Sequence, residues 1–362
     1  MWLLCPIAGV GKRLQPFTYS KPKAFLKIAG KRLIDHILNK IQKSFPQDTN
    51  LCFIVGYKKR QITEYLKANY SKYFKLYFIE QEPLGYDADA PFFSGLGDAI
   101  LLTKDLVKGD DCFIFLSDRL PLEDYNSLLL TYHQGGCDGV INIKEVENPQ
   151  YYGVTELDNK KNITNIVEKP QNFISNLAVS GAYLFGKKIS EKLFELLETQ
   201  SKIPLENGKE HQLTPVIQEL IKLGFTIKGN QMVNEILDFG RPETLLEGNR
   251  HLLSELKLGD PVYENLFQSD NIKDSKIIPP VFIGNNAKIE SSVIGPNVSL
   301  GDNLEIKKSI ISEAVIGDGV YLRKIITQNS ILGDYSTLED LIKPNITIGD
   351  SSYITTSNSK GN

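Results

Sequence analysis

Two basic side chains in a glycine-bearing loop carry the first chemistry in this chain. The run Ala8-Gly9-Val10-Gly11-Lys12-Arg13-Leu14-Gln15-Pro16-Phe17-Thr18 follows directly on the apolar stretch Trp2 to Ile7, and Lys21-Pro22-Lys23-Ala24-Phe25-Leu26 comes next. The apolar stretch reads as a buried strand, and glycines at its end let backbone N–H groups approach an anion with no Cβ in the way. Arg13 and Lys23 add fixed positive charge, so the run reads as a phosphate-handling loop. It has neither the third glycine of a dinucleotide fingerprint nor the Gly-Lys-Ser/Thr ending of a P-loop, and a bare Gly-x-Gly also fits a tight turn. The second chemical candidate is a carboxylate. Phe113-Ile114-Phe115-Leu116-Ser117-Asp118 is an apolar strand ending in an acid. Mg²⁺ takes one or two carboxylates plus phosphate oxygens, which suits Asp118; the same residue could instead cap a following helix.

These side chains need a scaffold that delivers strand ends to one place. From Trp2 to about His133, short apolar runs alternate with amphipathic stretches, as α/β units do. Strands are expected at Leu3–Ile7, Leu51–Val55, Leu76–Ile79 and Cys112–Leu116, and helices at Leu33–Ser44 and Ile62–Ala68. Such an order implies a mostly parallel sheet with its ligand at the carboxyl ends, where the glycine loop, Gln81 and Asp118 all fall. From Gly139 to about Gly186 the chain turns β-rich. Leu193 to Gly224 reads as one or two amphipathic helices, and Leu245–Leu253 has helical spacing.

Composition narrows the partners. The chain has 362 residues, which fits two domains, and a formal net charge of −3, which leaves no basic footprint for nucleic acid. Any nucleotide handled is therefore expected to be a small molecule. Cys5, Cys52, Cys112 and Cys137 lie far apart with no Cys-x-x-Cys spacing, so buried reduced thiols and a cytoplasmic setting are expected. The apolar start is too short for a signal peptide or a membrane span. Glycosylation triplets at Asn162, Asn297 and Asn345 are read as chance.

The full run from Ala8 to Lys23 resembles the signature loop of the sugar-1-phosphate nucleotidylyltransferases, among them glucose-1-phosphate thymidylyl- and uridylyltransferases. The resemblance continues through Ile28-Ala29-Gly30-Lys31-Arg32-Leu33-Ile34-Asp35-His36. It implies a Rossmann-like α/β domain with a mixed central sheet, over residues 1–253. By this resemblance Ala8, Gly9, Gly11, Gln81 and Gly85 bind the nucleotide, Arg13 and Lys23 are catalytic, and Asp118 and Asp238 hold Mg²⁺. Asp238 stands in Asp238-Phe239-Gly240-Arg241-Pro242-Glu243, similar to the family's second metal element; its flanking Gly and Pro would equally suit a helix cap. Glu168 would bind sugar hydroxyls, Lys169 the sugar phosphate, and the backbones at Gly153 and Gly181 would line the sugar pocket. A glutamine amide offers a donor and an acceptor, which suits a pyrimidine edge. The chain departs from the pattern at Lys12, Ser117 and Arg119, and the residues 86–94 split the element Glu80–Gly85 from Gly95–Leu101.

Beyond a linker expected at 254–275 lies an internal repeat. Ile283-Gly284, Leu300-Gly301, Ile316-Gly317, Leu332-Gly333 and Ile348-Gly349 recur at intervals of seventeen and then sixteen residues, with aliphatics about every sixth position between them. That is the hexapeptide pattern of a parallel β-helix, in which stacked coils close a core that no single coil could. The resemblance makes it left-handed, over 276–354, and packs it against the catalytic domain or another subunit. Residues 355–362 read as a disordered tail.

Together these readings predict transfer of a nucleotidyl group from dTTP or UTP to a hexose 1-phosphate, glucose 1-phosphate foremost, in a homo-oligomer built through the β-helix. A non-catalytic subunit of the same fold, similar to translation-initiation exchange-factor subunits, is the second reading; Lys12, Ser117, Arg119 and the insertion favour it, and the retained Gly11, Arg13, Lys23, Asp118, Lys169 and Asp238 oppose it. A bifunctional acyltransferase is the third. Its usual histidine base is missing, because no histidine follows His251.

Overall fold

The computed structural model describes residues 1–87, 90–206, 209–256 and 271–356. Most of the expected linker and the last six residues of the expected tail lie outside the described residues. By internal contacts the chain forms two compact units that interleave in sequence: Met1–Val10 with His36–Leu237, and Gly11–Asp35 with Asp238–Asn362.

The first unit is built on a mixed nine-stranded sheet. Trp2–Pro6 lies between Thr49–Val55 and Cys112–Phe115, parallel to both, and Phe74–Glu80 extends the parallel part. These strands are almost continuously apolar because helices can cover both faces of such a sheet. Leu177–Phe185 then runs antiparallel to Cys112–Phe115, Gly139–Glu145 and Gly153–Leu157, which makes the sheet mixed. Ile163–Glu168 and Ile227–Gln231 complete it. Leu4, Ile54, Ile114, Phe185, Leu193 and Ile217 belong to its buried core. The helical stretch expected at Leu193 to Gly224 resolves into Lys187–Ser201 and Leu213–Lys222. The earlier start is set by Asp111, whose carboxylate accepts the Lys187 N–H at 2.9 Å, a partner too distant in sequence to be seen from the local pattern.

In the second unit, the repeat forms the all-parallel curled sheet of a left-handed β-helix. The expected column is in register: Ile283 pairs with Leu300, Leu300 with Ile316, Ile316 with Leu332, and Leu332 with Ile348. Leu300, Ile316 and Leu332 are buried in its core. Coil corners at Asn286, Asn303, Gly319, Tyr335 and Ser351 share φ values of 58, 57, 65, 59 and 58°. Asparagine and glycine tolerate that left-handed region best, which is why they favour such corners.

Cys5, Cys52 and Cys112 are buried free thiols, as expected, and Cys137 is half-buried. Burial pushes the thiols of Cys52 and Cys112 up to about 12. Among the described residues no helix is long and apolar enough to cross a membrane.

Candidate active site

The glycine loop closes on itself within the second unit. Gly11 sits at φ 71°, and a Cβ there would lie 3.1 Å from Lys23 Cβ and 3.2 Å from Thr18 Cγ2. Glycine at this position therefore serves both the left-handed turn and the close approach of Lys23. The Gly11 carbonyl accepts from Leu14 N–H at 2.8 Å and from Thr18 Oγ1 at 3.1 Å. Buried Leu14, Phe17 and Thr18 anchor the loop. Arg13 reaches the turn after Asp238: a Cβ at Gly240 would stand 3.5 Å from Arg13 Nη2 and 3.0 Å from Asp238 Oδ1. Asp238 Oδ1 accepts the Gly240 N–H at 2.8 Å. Asp238 is not the cap of the following helix Pro242–Ser254, because Arg241 occupies that position and exchanges hydrogen bonds with Thr244.

In the first unit, Asp118 follows the strand Cys112–Phe115 and precedes another short strand, Arg119–Pro121. No helix starts there, so helix capping does not account for it. Ser117 Oγ donates to the Pro6 carbonyl at 3.1 Å, tying the carboxyl ends of two parallel strands, and Leu116 N–H donates to the Gly181 carbonyl at 3.0 Å in the middle of the antiparallel strand. Burial, with Asp118 and Cys52 adding to it, pushes the Cys5 thiol well up, so Cys5 stays neutral.

Gln81 is 5% exposed. Its Nε2 donates to Gly95 O at 3.1 Å and to Ser94 Oγ at 3.3 Å, which fixes the plane of the amide. The inserted residues form a hairpin, Gly85–Asp87 against Ala90–Phe92. Gly85 belongs to this hairpin, where a Cβ would come within 2.9 Å of the Phe92 ring. Phe93 follows it into contact distance of Gly56, where a Cβ would lie 2.8 Å from both the Phe93 ring and Ala8 Cβ. The Ala8 carbonyl accepts from Tyr57 N–H at 2.9 Å, and the space above Gly9 is open.

A third cluster brings Gly153 to Glu168 and Lys169, while Gly181 lies against Leu116 and Arg119. Glu168 Oε2 accepts from Thr214 Oγ1 at 2.8 Å, and Lys169 Nζ lies 3.3 Å from Glu168 Oε1. Lys169 sits at φ 44°, held by its N–H on the Tyr152 carbonyl at 2.9 Å. A Cβ on Gly153 would stand 3.3 Å from Glu168 Oε2, and one on Gly181, at φ 86°, 3.1 Å from Arg119 Cγ. The Arg119 guanidinium lies 4.8 Å over the Tyr152 ring. Burial raises the Tyr183 phenol, with Glu168 adding and Arg119 opposing.

Residues 7–255 match the family model described as nucleotidyl transferase. The chain belongs to the nucleotidyl transferase family. It is 36% identical over 254 residues to the bifunctional protein GlmU of Methanocaldococcus jannaschii, an alignment covering 70% of this chain and 54% of that one. The chain thus spans about half the length of the relatives of this kind that it matches. A UDP-glucose pyrophosphorylase solved with UDP-glucose shares the fold at a TM-score of 0.59 and 24% identity, over 70% of this chain and 99% of the other. A Bacillus anthracis protein described as a glucose-1-phosphate thymidylyltransferase does so at 0.57 and 20%, over 72% and 98%.

Within this nucleotidyl transferase, several neighbours of the expected residues had no signal of their own in the sequence. Thr214 stands one residue into a helix that reads simply as amphipathic, and Phe93 stands in the residues that interrupt the family pattern. Ser94, the last of those residues, bonds Gln81 through its hydroxyl, beside Gly95, which the resemblance had already placed in the split element.

Proposed function

We propose that the chain transfers a nucleotidyl group from dTTP or UTP to a hexose 1-phosphate, with glucose 1-phosphate the first candidate, releasing pyrophosphate. The observation that carries this reading is the loop itself: Lys23 packed on Gly11 and Arg13 placed at the Asp238–Gly240 turn, in the second unit of a nucleotidyl transferase chain. In-line attack by a sugar phosphate oxygen on the α-phosphorus needs positioning and charge stabilisation more than a protein nucleophile. Arg13 sits on the triphosphate and offsets charge moving to the leaving group. Lys23 stabilises the α-phosphoryl group. Glu168, oriented by Thr214, accepts sugar hydroxyls, and Lys169 holds the sugar phosphate. Gln81, with Nε2 already committed to Gly95 and Ser94, turns Oε1 toward a pyrimidine N3–H.

Asp118 and Asp238 each offer hard carboxylate oxygens of the kind Mg²⁺ takes, and each is proposed as a ligand on that chemistry and the family resemblance alone. When bound, the ion would screen the phosphate oxyanions.

The test is pyrophosphate release with Mg²⁺ and each of dTTP, UTP, CTP, ATP and GTP, against glucose, N-acetylglucosamine, mannose, galactose and glucosamine 1-phosphates, with Asp118→Ala as blank. Release with dTTP or UTP, absent in the variant, is expected. Release only with a purine nucleotide would discard the role of Gln81, and silence throughout would favour the non-catalytic subunit.

We further propose self-association through the β-helix. Ile310, Ile326 and Ile342 stack in consecutive coils yet are 50, 42 and 77% exposed. An apolar ridge of this kind suits burial against a second copy. Light scattering is expected to give an oligomer for the wild type and a monomer for Ile326→Lys; an unchanged mass for the variant would rule this ridge out.

A further inference from the structure

The β-helix carries a column of four aspartates whose regularity its own folding only half explains. Asp302, Asp318, Asp334 and Asp350 each follow the glycine of a repeat. The Oδ1 of each accepts the backbone N–H of the equivalent residue one coil earlier: Asp302 from Asn285 at 2.8 Å, Asp318 from Asp302 at 2.9 Å, Asp334 from Asp318 at 3.0 Å and Asp350 from Asp334 at 2.8 Å. The glycines make room for this ladder, since a Cβ on Gly301 would fall 2.5 Å from Asp318 Oδ1. Coil-to-coil hydrogen bonding accounts for one oxygen of each carboxylate. An asparagine amide oxygen could accept such a bond as well.

The second oxygens have a different use. Lys27 Nζ bridges Asp302 Oδ2 at 2.9 Å and Asp318 Oδ2 at 2.8 Å. Lys21 Nζ bridges Asp334 and Asp350, 3.1 Å from Asp350 Oδ2. Each lysine thus spans two consecutive coils, and together they cover the column. Carboxylates stacked at the interstrand spacing of about 5 Å repel one another, and two ammonium groups between them remove most of that repulsion. Burial disfavours the charge on Lys27, yet its hydrogen bonds to Asp318 and Asp302 outweigh this and raise its pKa. Burial likewise opposes the charge on Asp302, and Lys27 and the Asn285 N–H overcome it and lower its pKa. The pair is ionised across the neutral range.

Lys21 stands in the signature loop and Lys27 just beyond it. Lys21 lies two residues before Lys23 and Lys27 four residues after it, and the intervening turn closes through Phe25 N–H on Pro22 O at 2.9 Å and Leu26 N–H on Lys23 O at 3.1 Å. Further fastenings agree with this. Ser20 donates to Asp350, and the buried Ala29 N–H is shared by Asn249 Oδ1 and Ser299 Oγ, both at 3.2 Å. Gly30, at φ 81°, lies against the Phe282 ring so closely that a Cβ would come within 2.6 Å of Cε1.

We infer that Lys21 and Lys27 are positioning residues: by gripping the aspartate column they set the loop that presents Lys23 and Arg13, so the β-helix is part of what makes the loop catalytically competent. The kinetic consequence rests on the reaction proposed above. A cation displaced by about 1 Å can cost about 10²-fold in rate, so loss of the grip is expected to act on turnover.

The test uses the full chain with Lys21→Gln, Lys27→Gln and the double variant, with Lys27→Arg as the conservative replacement. Arg323→Gln is the control, because it removes ion pairs to Glu339 and Asp340 in the same β-helix but away from the column. Hydrogen–deuterium exchange of residues 11–26 is expected to speed up at least about tenfold in the double variant. Its kcat is expected to fall at least about tenfold, with KM for the sugar phosphate within about twofold. Lys27→Arg is expected to keep both near wild type, and Arg323→Gln to change neither. If the double variant does not fold, the single variants carry the comparison. Unchanged loop exchange, or faster exchange with undiminished kcat, overturns the inference. A wild type silent with every nucleotide refutes the proposed reaction instead, and the exchange experiment still decides whether the column holds the loop.

Discussion

Lys23→Ala is expected to lower kcat for pyrophosphate release by at least about 10²-fold, the usual cost of removing one preorganised charge from a phosphoryl-transfer site. This corresponds to about 2.7 kcal/mol of transition-state stabilisation. The expectation rests on the role proposed above for Lys23, whose stem packs on Gly11 while Thr18 closes the loop beside it. Its removal leaves no buried apolar cavity, since Lys23 is half-buried and charged. The thermal midpoint should therefore stay close to wild type while turnover collapses. Lys23→Arg should rescue little, because a planar guanidinium cannot take the place of a compact ammonium in a packed turn. Steady-state kinetics with each nucleotide, beside a melting curve, checks this; an undiminished kcat would take Lys23 out of the chemistry.

Phe113→Ala is expected to destabilise the first unit by about 3–5 kcal/mol. Phe113 is fully buried in the strand that leads to Asp118. Its ring contacts those of Phe45 at 4.9 Å, Tyr125 at 5.1 Å and Phe115 at 5.9 Å between centroids. Phe115 is held in the same strand, and Phe45 and Tyr125 come from distant parts of the chain, so they cannot collapse together into the space and the cavity term adds to the lost transfer energy. That loss is a large part of the roughly 5–15 kcal/mol that holds an ordinary domain folded. The single tryptophan, Trp2, is buried in the same unit, 4.8 Å from the Tyr77 ring, and its fluorescence reports this unit selectively. A denaturant midpoint displaced by less than about 1 kcal/mol would contradict the packing described.

The parts of the fold legible from the sequence are those governed by local periodicity. The helix Leu33–Ser44 has the expected bounds because its apolar positions repeat at helical spacing over three turns. The strands at Trp2–Pro6 and Cys112–Phe115 shift by a residue at most, since apolar runs of that length bounded by Gly or Asp leave little freedom. The β-helix register was legible for the same reason, each coil repeating one pattern. The helix at Lys187 began earlier than expected because its N-terminal partner is Asp111. The insertion after Gly85 could be seen as an interruption, but its hairpin and the delivery of Phe93 toward Ala8 and Gly56 could not, because they depend on pairings across the turn.

By itself, then, the sequence determined the residue types that can do chemistry, their order along strand ends, and the sixteen-residue rhythm of the coils. These follow from near-neighbour sterics and from the burial of one apolar position per strand. Only the tertiary structure decided that Asp238 holds its own turn and is not a helix cap, that Gln81 is pinned by Gly95, and that Gly11–Asp35 groups with the coils. Among the bonds behind that last grouping are those joining Lys27 to Asp302 and Lys21 to Asp334 across 275 and 313 residues. A lysine two residues before Lys23 looks in sequence like any other surface charge; its ion pairs depend on carboxylates that come within reach only when the coils have stacked.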